Sequence, residues 1–109
     1  MDSHEFGIMT EAPQKNQRFD LYEPEKYHVI AVDDDILFPF MQDFMILPCF
    51  AHTLAQPCEG LVYCGITLIP PTAVREMVWM VSPHPKLAQL TALLKRAIKE
   101  NKYVIHFGI

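Results

Sequence analysis

Glycine, charge and cysteine are all scarce in this chain, and each scarcity excludes something. The four glycines stand at positions 7, 60, 65 and 108, too scattered to build a phosphate-cradling loop, so there is neither a Walker loop nor a GxGxxG turn. Three cysteines, Cys49, Cys58 and Cys64, are an odd number without a Cys-x-x-Cys pair; they do not form a disulfide framework and are expected to be reduced. Only 20% of the residues are charged, with a formal net charge of −4. A weakly acidic chain of pI about 5.6 lacks the basic face that holds a phosphate backbone, so nucleic acid is not an expected partner.

Other absences bear on chemistry and location. No serine or cysteine stands in a nucleophile-elbow pattern, and no two of His4, His28, His52, His84 and His106 have ligand spacing on one helix. No cofactor is expected, and the reading favours no catalytic activity. The first twenty residues lack a basic stretch followed by an apolar one, which leads to the expectation of a cytoplasmic protein. A membrane is not an expected partner either. The run Ile36–Ala55 has the ~20 residues that a bilayer crossing requires, but it contains Gln42 and Asp43 near its centre and is interrupted by Pro39 and Pro48.

What is present is an apolar excess. Of 109 residues, 50% are hydrophobic and nine are proline, and the mean hydropathy of +0.10 excludes global disorder. A chain of this size makes one domain, and its apolar surplus leaves side chains over for a partner or a second copy. Charge is uneven along it: residues 1–35 hold nine acids and three bases, and residues 75–109 hold six bases and two acids.

Residues 1–26 read as an N-terminal arm, with Glu5–Met9 a candidate edge strand, and residues 27–109 as a single α/β domain. Tyr27–Val32 is a short apolar run closed by Asp33, Asp34 and Asp35, which predicts a strand and then a helix over 36–46, ended before Pro48. Leu61–Ile69 predicts the central strand. Ala73, Val74, Met77, Val78 and Val81 share one helical face, although Val78–Val81 also has strand propensity; helix is the preferred reading. Pro85 opens a last helix with Leu87, Leu90, Leu94, Ala97 and Ile98 as its buried stripe. Asn101 ends it and Tyr103–Phe107 is the final strand. The order β-α-β-α-α-β predicts an α/β fold with a small three- to four-stranded sheet, at least partly parallel, and about three helices.

Several groups of residues are candidates for a role. Asp33, Asp34 and Asp35 sit at a strand end, where carboxylates suit Mg²⁺ or Ca²⁺ or simply cap a helix. The run Val29–Asp35 resembles the opening strand of bacterial receiver domains, whose adjacent acids bind magnesium. Receivers need a further aspartate on a later strand, and no Asp follows Asp43, so receiver function is rejected. Cys49, His52, Cys58 and Cys64 offer soft ligands for zinc but lack two short-spaced pairs. His106 shares a strand face with Val104 and reads as buried and hydrogen-bonded. Lys95, Arg96, Lys99 and Lys102 complement the dipole at the end of the last helix. Arg75, Trp79 and Met80 lie off the apolar stripe of the 73–81 helix and are the interface candidates, since Trp, Met and Arg are enriched in interface cores. The leading expectation is action by protein–protein association, as a homodimer without catalysis. The alternative is a metal- or phosphate-ligand-binding enzyme built on Asp33–Asp35.

Overall fold

Period-two alternation at the start of the chain builds a strand, with His4, Phe6 and Ile8 on one face and Ser3, Glu5 and Gly7 on the other. The computed structural model describes residues 2–109. Its strands are β1 (Ser3–Ile8), β2 (Ile30–Asp33), β3 (Pro48–Ala51), β4 (Pro57–Glu59), β5 (Ile66–Ile69) and β6 (Val104–Phe107). Its helices are α1 (Asp34–Leu37), α2 (Pro71–Val81) and α3 (Ala88–Glu100), with 3₁₀ turns at Pro24–Lys26, Phe38–Phe40, Asp43–Ile46 and Pro85–Leu87. The strands form one sheet in the order β2-β1-β6-β5-β3-β4, and every neighbouring pair is antiparallel.

This corrects the expected small, partly parallel sheet of three or four strands, for three physical reasons. A single crossover helix makes the next strand parallel, but α2 and α3 follow one another as a helical hairpin and reverse the chain once more. β6 therefore runs back beside β5, with Thr67 opposite His106 and Leu68 opposite Ile105. The second reason lies in β1, which is an inner strand between β2 and β6 rather than an edge. The third lies in residues 48–59, where Pro48 and Pro57 would ordinarily mark an irregular connection yet each begins a strand. The backbone bonds Gly60 N–H to Leu47 O and Ala51 N–H to Gln56 O fix the hydrogen-bonded pairs of the β3–β4 hairpin. Pro48 and Pro57 fall on the alternate positions, where no N–H is asked of them within that hairpin.

The expected helix over 36–46 is also replaced. α1 stops after one turn, and the chain continues as two 3₁₀ turns, because Pro39 has no N–H to give and its ring collides with the preceding turn of an α-helix. The helix reading of 73–81 holds: α2 begins with Pro71 at its first turn and buries Ala73, Val74, Met77 and Val81. In α3 the stripe of Leu90, Leu93, Leu94 and Ala97 is buried, and Asn101 closes the helix in the left-handed conformation, at φ 55°.

Two apolar layers cover the two faces of the sheet. On one, α2 and α3 pack with Phe6, Val32, Ile69 and Val104. On the other, Met9, Ile66, Leu68, Ile105 and Phe107 are covered by Phe19, Tyr27 and Val29 from the long β1–β2 connection, with Phe50, Leu54 and Tyr103. Among the described residues no helix is long and apolar enough to cross a membrane.

Candidate functional site

The polar feature of the interior is a chain of five side chains on the helix-covered face of the sheet. Strand register sets most of it: Thr67 on β5 and Phe6 on β1 stand opposite His106 on β6, and His4 lies two residues from Phe6 on the same face. Thr67 Oγ1 is 3.1 Å from His106 Nδ1, His106 Nε2 is 2.9 Å from His4 Nδ1, and His4 Nε2 is 2.9 Å from Asp34 Oδ1. Tyr63 donates its hydroxyl to the other Asp34 oxygen at 2.5 Å. The two imidazoles are stacked, with centroids 5.1 Å apart, and the Tyr63 ring lies 5.4 Å from that of His4.

The proton order follows from the partners. Val62 N–H donates to Thr67 Oγ1 at 2.8 Å, so the threonine hydroxyl is free to donate to His106 Nδ1. His106 Nε2–H then donates to His4 Nδ1, and His4 Nε2–H donates to the Asp34 carboxylate. With both rings neutral, every donor and acceptor is satisfied. A proton added at His106 Nδ1 would take over that contact and leave the Thr67 O–H without its acceptor.

The local electrostatics match this order. Burial, reinforced by the neighbouring His4, pushes His106 down to about 3, so that ring stays neutral across the physiological range. The hydrogen bond from Tyr63, then that from His4, holds Asp34 below the usual carboxylate range. The same bond to Asp34 pushes Tyr63 up to about 12, which keeps its phenol protonated. His4, Thr67 and His106 are fully buried, and only the outer end, where the Asp34 side chain is 19% exposed, reaches solvent. The chain thus keeps its protons in this order and presents no accessible nucleophile. Its evident work is to join β1, β5, β6, the start of α1 and the loop that carries Tyr63.

The structure separates the three aspartates. Asp34 belongs to the buried chain, whereas Asp33 and Asp35 are exposed and share a shallow recess with it and Asp2. Cys49, His52, Cys58 and Cys64 do not come together as a set of ligands, and among the described residues no three His, Cys, Asp or Glu side chains are grouped as metal ligands. His52 is engaged elsewhere: Nδ1 lies 3.0 Å from Phe19 O and Nε2 accepts Ile66 N–H. Of the interface candidates, Trp79 is 79% exposed, Met80 is half-buried, and Arg75 is exposed and reaches Asn101 Oδ1 at 3.5 Å.

Sequence reasoning missed His4, Thr67 and Tyr63. The alternation in Ser3–Ile8 was the available signal for His4; Tyr63 lies in a loop and meets Asp34 only through the tertiary fold. The exposed apolar surface extends beyond Trp79. Ile46 is 73% exposed and Phe38 61%, and two open clefts of about 460 and 560 Å³ meet at Phe40 and His84. The first is walled by Ile36, Pro85 and Leu87 with Asp35 and Lys86 at its margin, the second by Ile46 and Met80 together with Gln42 and Asp43, and the Phe40 ring meets that of His84 edge-on at 4.6 Å. No family model, curated protein or solved structure matches this chain.

Proposed function

We propose that this is a small cytoplasmic protein that acts by association, forming a homodimer without catalytic activity. The observation that carries the reading is the apolar surface left on the protomer: the outward Trp79 of α2, and the clefts at Phe40 and His84 with Ile46 and Met80 on their rim. Concave, largely apolar walls with polar margins beside projecting aromatic and aliphatic side chains are what an interface core and its rim need. Strand addition is disfavoured as the mode, because both sheet edges are blunted. β4 is three residues long and begins with Pro57, and β2 is four residues long and ends at Asp33.

Light scattering on a sizing column at tens of micromolar tests this. The expected mass is twice 12.6 kDa, and Trp79→Asp combined with Ile46→Asp should return it to the monomer without loss of helical signal. A strictly monomeric wild type overturns the homodimer.

A second reading rests on the buried chain behind Asp34. In it Asp33, Asp34 and Asp35 bind a metal or phosphate ligand, and the hydrogen bonds from His4 and Tyr63 fix the Asp34 carboxylate. Thermal shifts with Mg²⁺, Mn²⁺ and Ca²⁺ test it: stabilisation of the wild type that Asp34→Asn abolishes supports the site, and equal shifts in both proteins reject it.

A further inference from the structure

The β3–β4 hairpin sets two of the three free cysteines against each other. Cys49 and Cys58 are Cα partners in the ladder, and the flanking bonds Gly60 N–H to Leu47 O and Ala51 N–H to Gln56 O make theirs a hydrogen-bonded pair. Such a pair has its Cα atoms about 5.5 Å apart, inside the range that a disulfide spans. Both side chains lie on the helix-covered face and pack in the same apolar cluster. Their burial is unequal: Cys49 is sealed, Cys58 is half-buried, and the Cys58 thiol donates to Gly60 O at 3.6 Å. Cys64, the exposed third thiol, is outside the hairpin.

We propose that Cys49 and Cys58 form a reversible cross-strand disulfide when the protein meets a peroxide. Cys58 reacts first because it is the one with access to solvent. Its thiolate attacks a peroxide oxygen, the O–O bond breaks, and a sulfenic acid and water result. Cys49, deprotonating as it attacks, then displaces hydroxide from the Cys58 sulfur: the S–O bond breaks, the S–S bond forms, and hydroxide leaves with that proton as water. Two thiols lose two electrons in total, and one hydrogen peroxide becomes two waters. Burial pushes Cys49 up to about 12 and raises Cys58 as well, so thiolate is scarce near neutral pH and the reaction quickens as pH rises. The product would pin β4, which pairs with β3 alone in the sheet.

The test uses the full chain, treated with hydrogen peroxide, unfolded and alkylated, and compared by intact mass and peptide mapping with the reduced protein. The expected product has lost two hydrogens, carries one alkylatable thiol instead of three, and yields a linked peptide pair containing Cys49 and Cys58. Cys64→Ser should still form it, Cys58→Ser should not, and dithiothreitol should restore three thiols. The oxidised Cys64→Ser protein should melt about 10 °C above its reduced form, as a closed loop of about ten residues in a domain of this size implies. Since Cys58 is half-buried, its serine variant tests the linkage without opening a core cavity. Oxidation confined to Cys64, or a disulfide that joins Cys64 or two chains while Cys49 stays alkylatable, overturns the proposal.

Discussion

Single side chains in this interior are either fully partnered or conspicuously not. Thr91, on the buried side of α3, has a hydroxyl with no hydrogen-bond partner among the described residues. Thr91→Val keeps the shape and the helix propensity while removing that orphan, so it should stabilise the protein by about 1 kcal/mol in urea unfolding. Thr67 is the opposite case. Its oxygen accepts from Val62 N–H and its hydroxyl serves His106; Thr67→Val orphans both neighbours and should cost about 2 kcal/mol or more by the same measurement. His106 makes a pH prediction with a definite sign. Its folded value of about 3 lies below the ordinary 6.5, so as pH falls below about 6.5 the unfolded chain takes up a proton that the native state refuses. This contribution is fully present above 6.5 and is lost progressively toward pH 3. Between pH 7 and 5 it amounts to about 2 kcal/mol, and His106→Gln should remove that part of the acid-side slope from urea titrations run at several pH values.

Elements built on long periodic stretches were legible in the sequence; those built on short or interrupted ones were not. The stripes of α2 and α3 run for 11 and 13 residues, long enough for the 3.6-residue period and for the closing Asn101 to be read. β5 and β6 were visible as apolar runs, although the long run Leu61–Ile69 yields a strand only over Ile66–Ile69. β3 and β4 were hidden because proline punctuates them, and whether a proline breaks a strand depends on pairing register, which is a property of two segments together. The same limit hid the buried polar chain. His106 could be assigned as buried from its own strand, but its bond to His4 joins residues 102 apart. Tyr63 owes its place to a close approach of the chain end: Gly108 N–H donates to Gly65 O at 2.7 Å and Ile109 N–H to Tyr63 O at 3.0 Å. A Cβ on Gly108 would come within 2.1 Å of Tyr63 O, a backbone atom that can yield only if the loop moves. Gly108→Ala should therefore displace the loop and part Tyr63 from Asp34. In ring-carbon NMR titrations the Tyr63 phenol should fall from about 12 toward the ordinary 10; an unchanged titration would show that the loop absorbs the methyl in place.

At the scale of the whole molecule, the surface area constrains what kind of association is reasonable. The protomer exposes 6363 Å², close to the roughly 6200 Å² expected of a folded monomer of this mass. It is a closed unit that does not depend on a partner to complete its core, so the proposed dimer is one that forms and dissociates between folded chains. A standard interface covers about 800 Å² per partner, roughly an eighth of this surface. Trp79 supplies the probe, because it is the only tryptophan in the chain and is 79% exposed in the protomer. Its replacement by alanine should change monomer stability by no more than about 0.5 kcal/mol, as at other exposed positions. If Trp79 enters the interface, its fluorescence should shift to the blue and become harder to quench with acrylamide as concentration rises, in step with the mass from light scattering. A doubled mass with the emission of a solvated indole would instead move the contact to the clefts at Phe40 and His84, where Trp79→Ala would leave dimerisation intact and Ile46→Asp would weaken it.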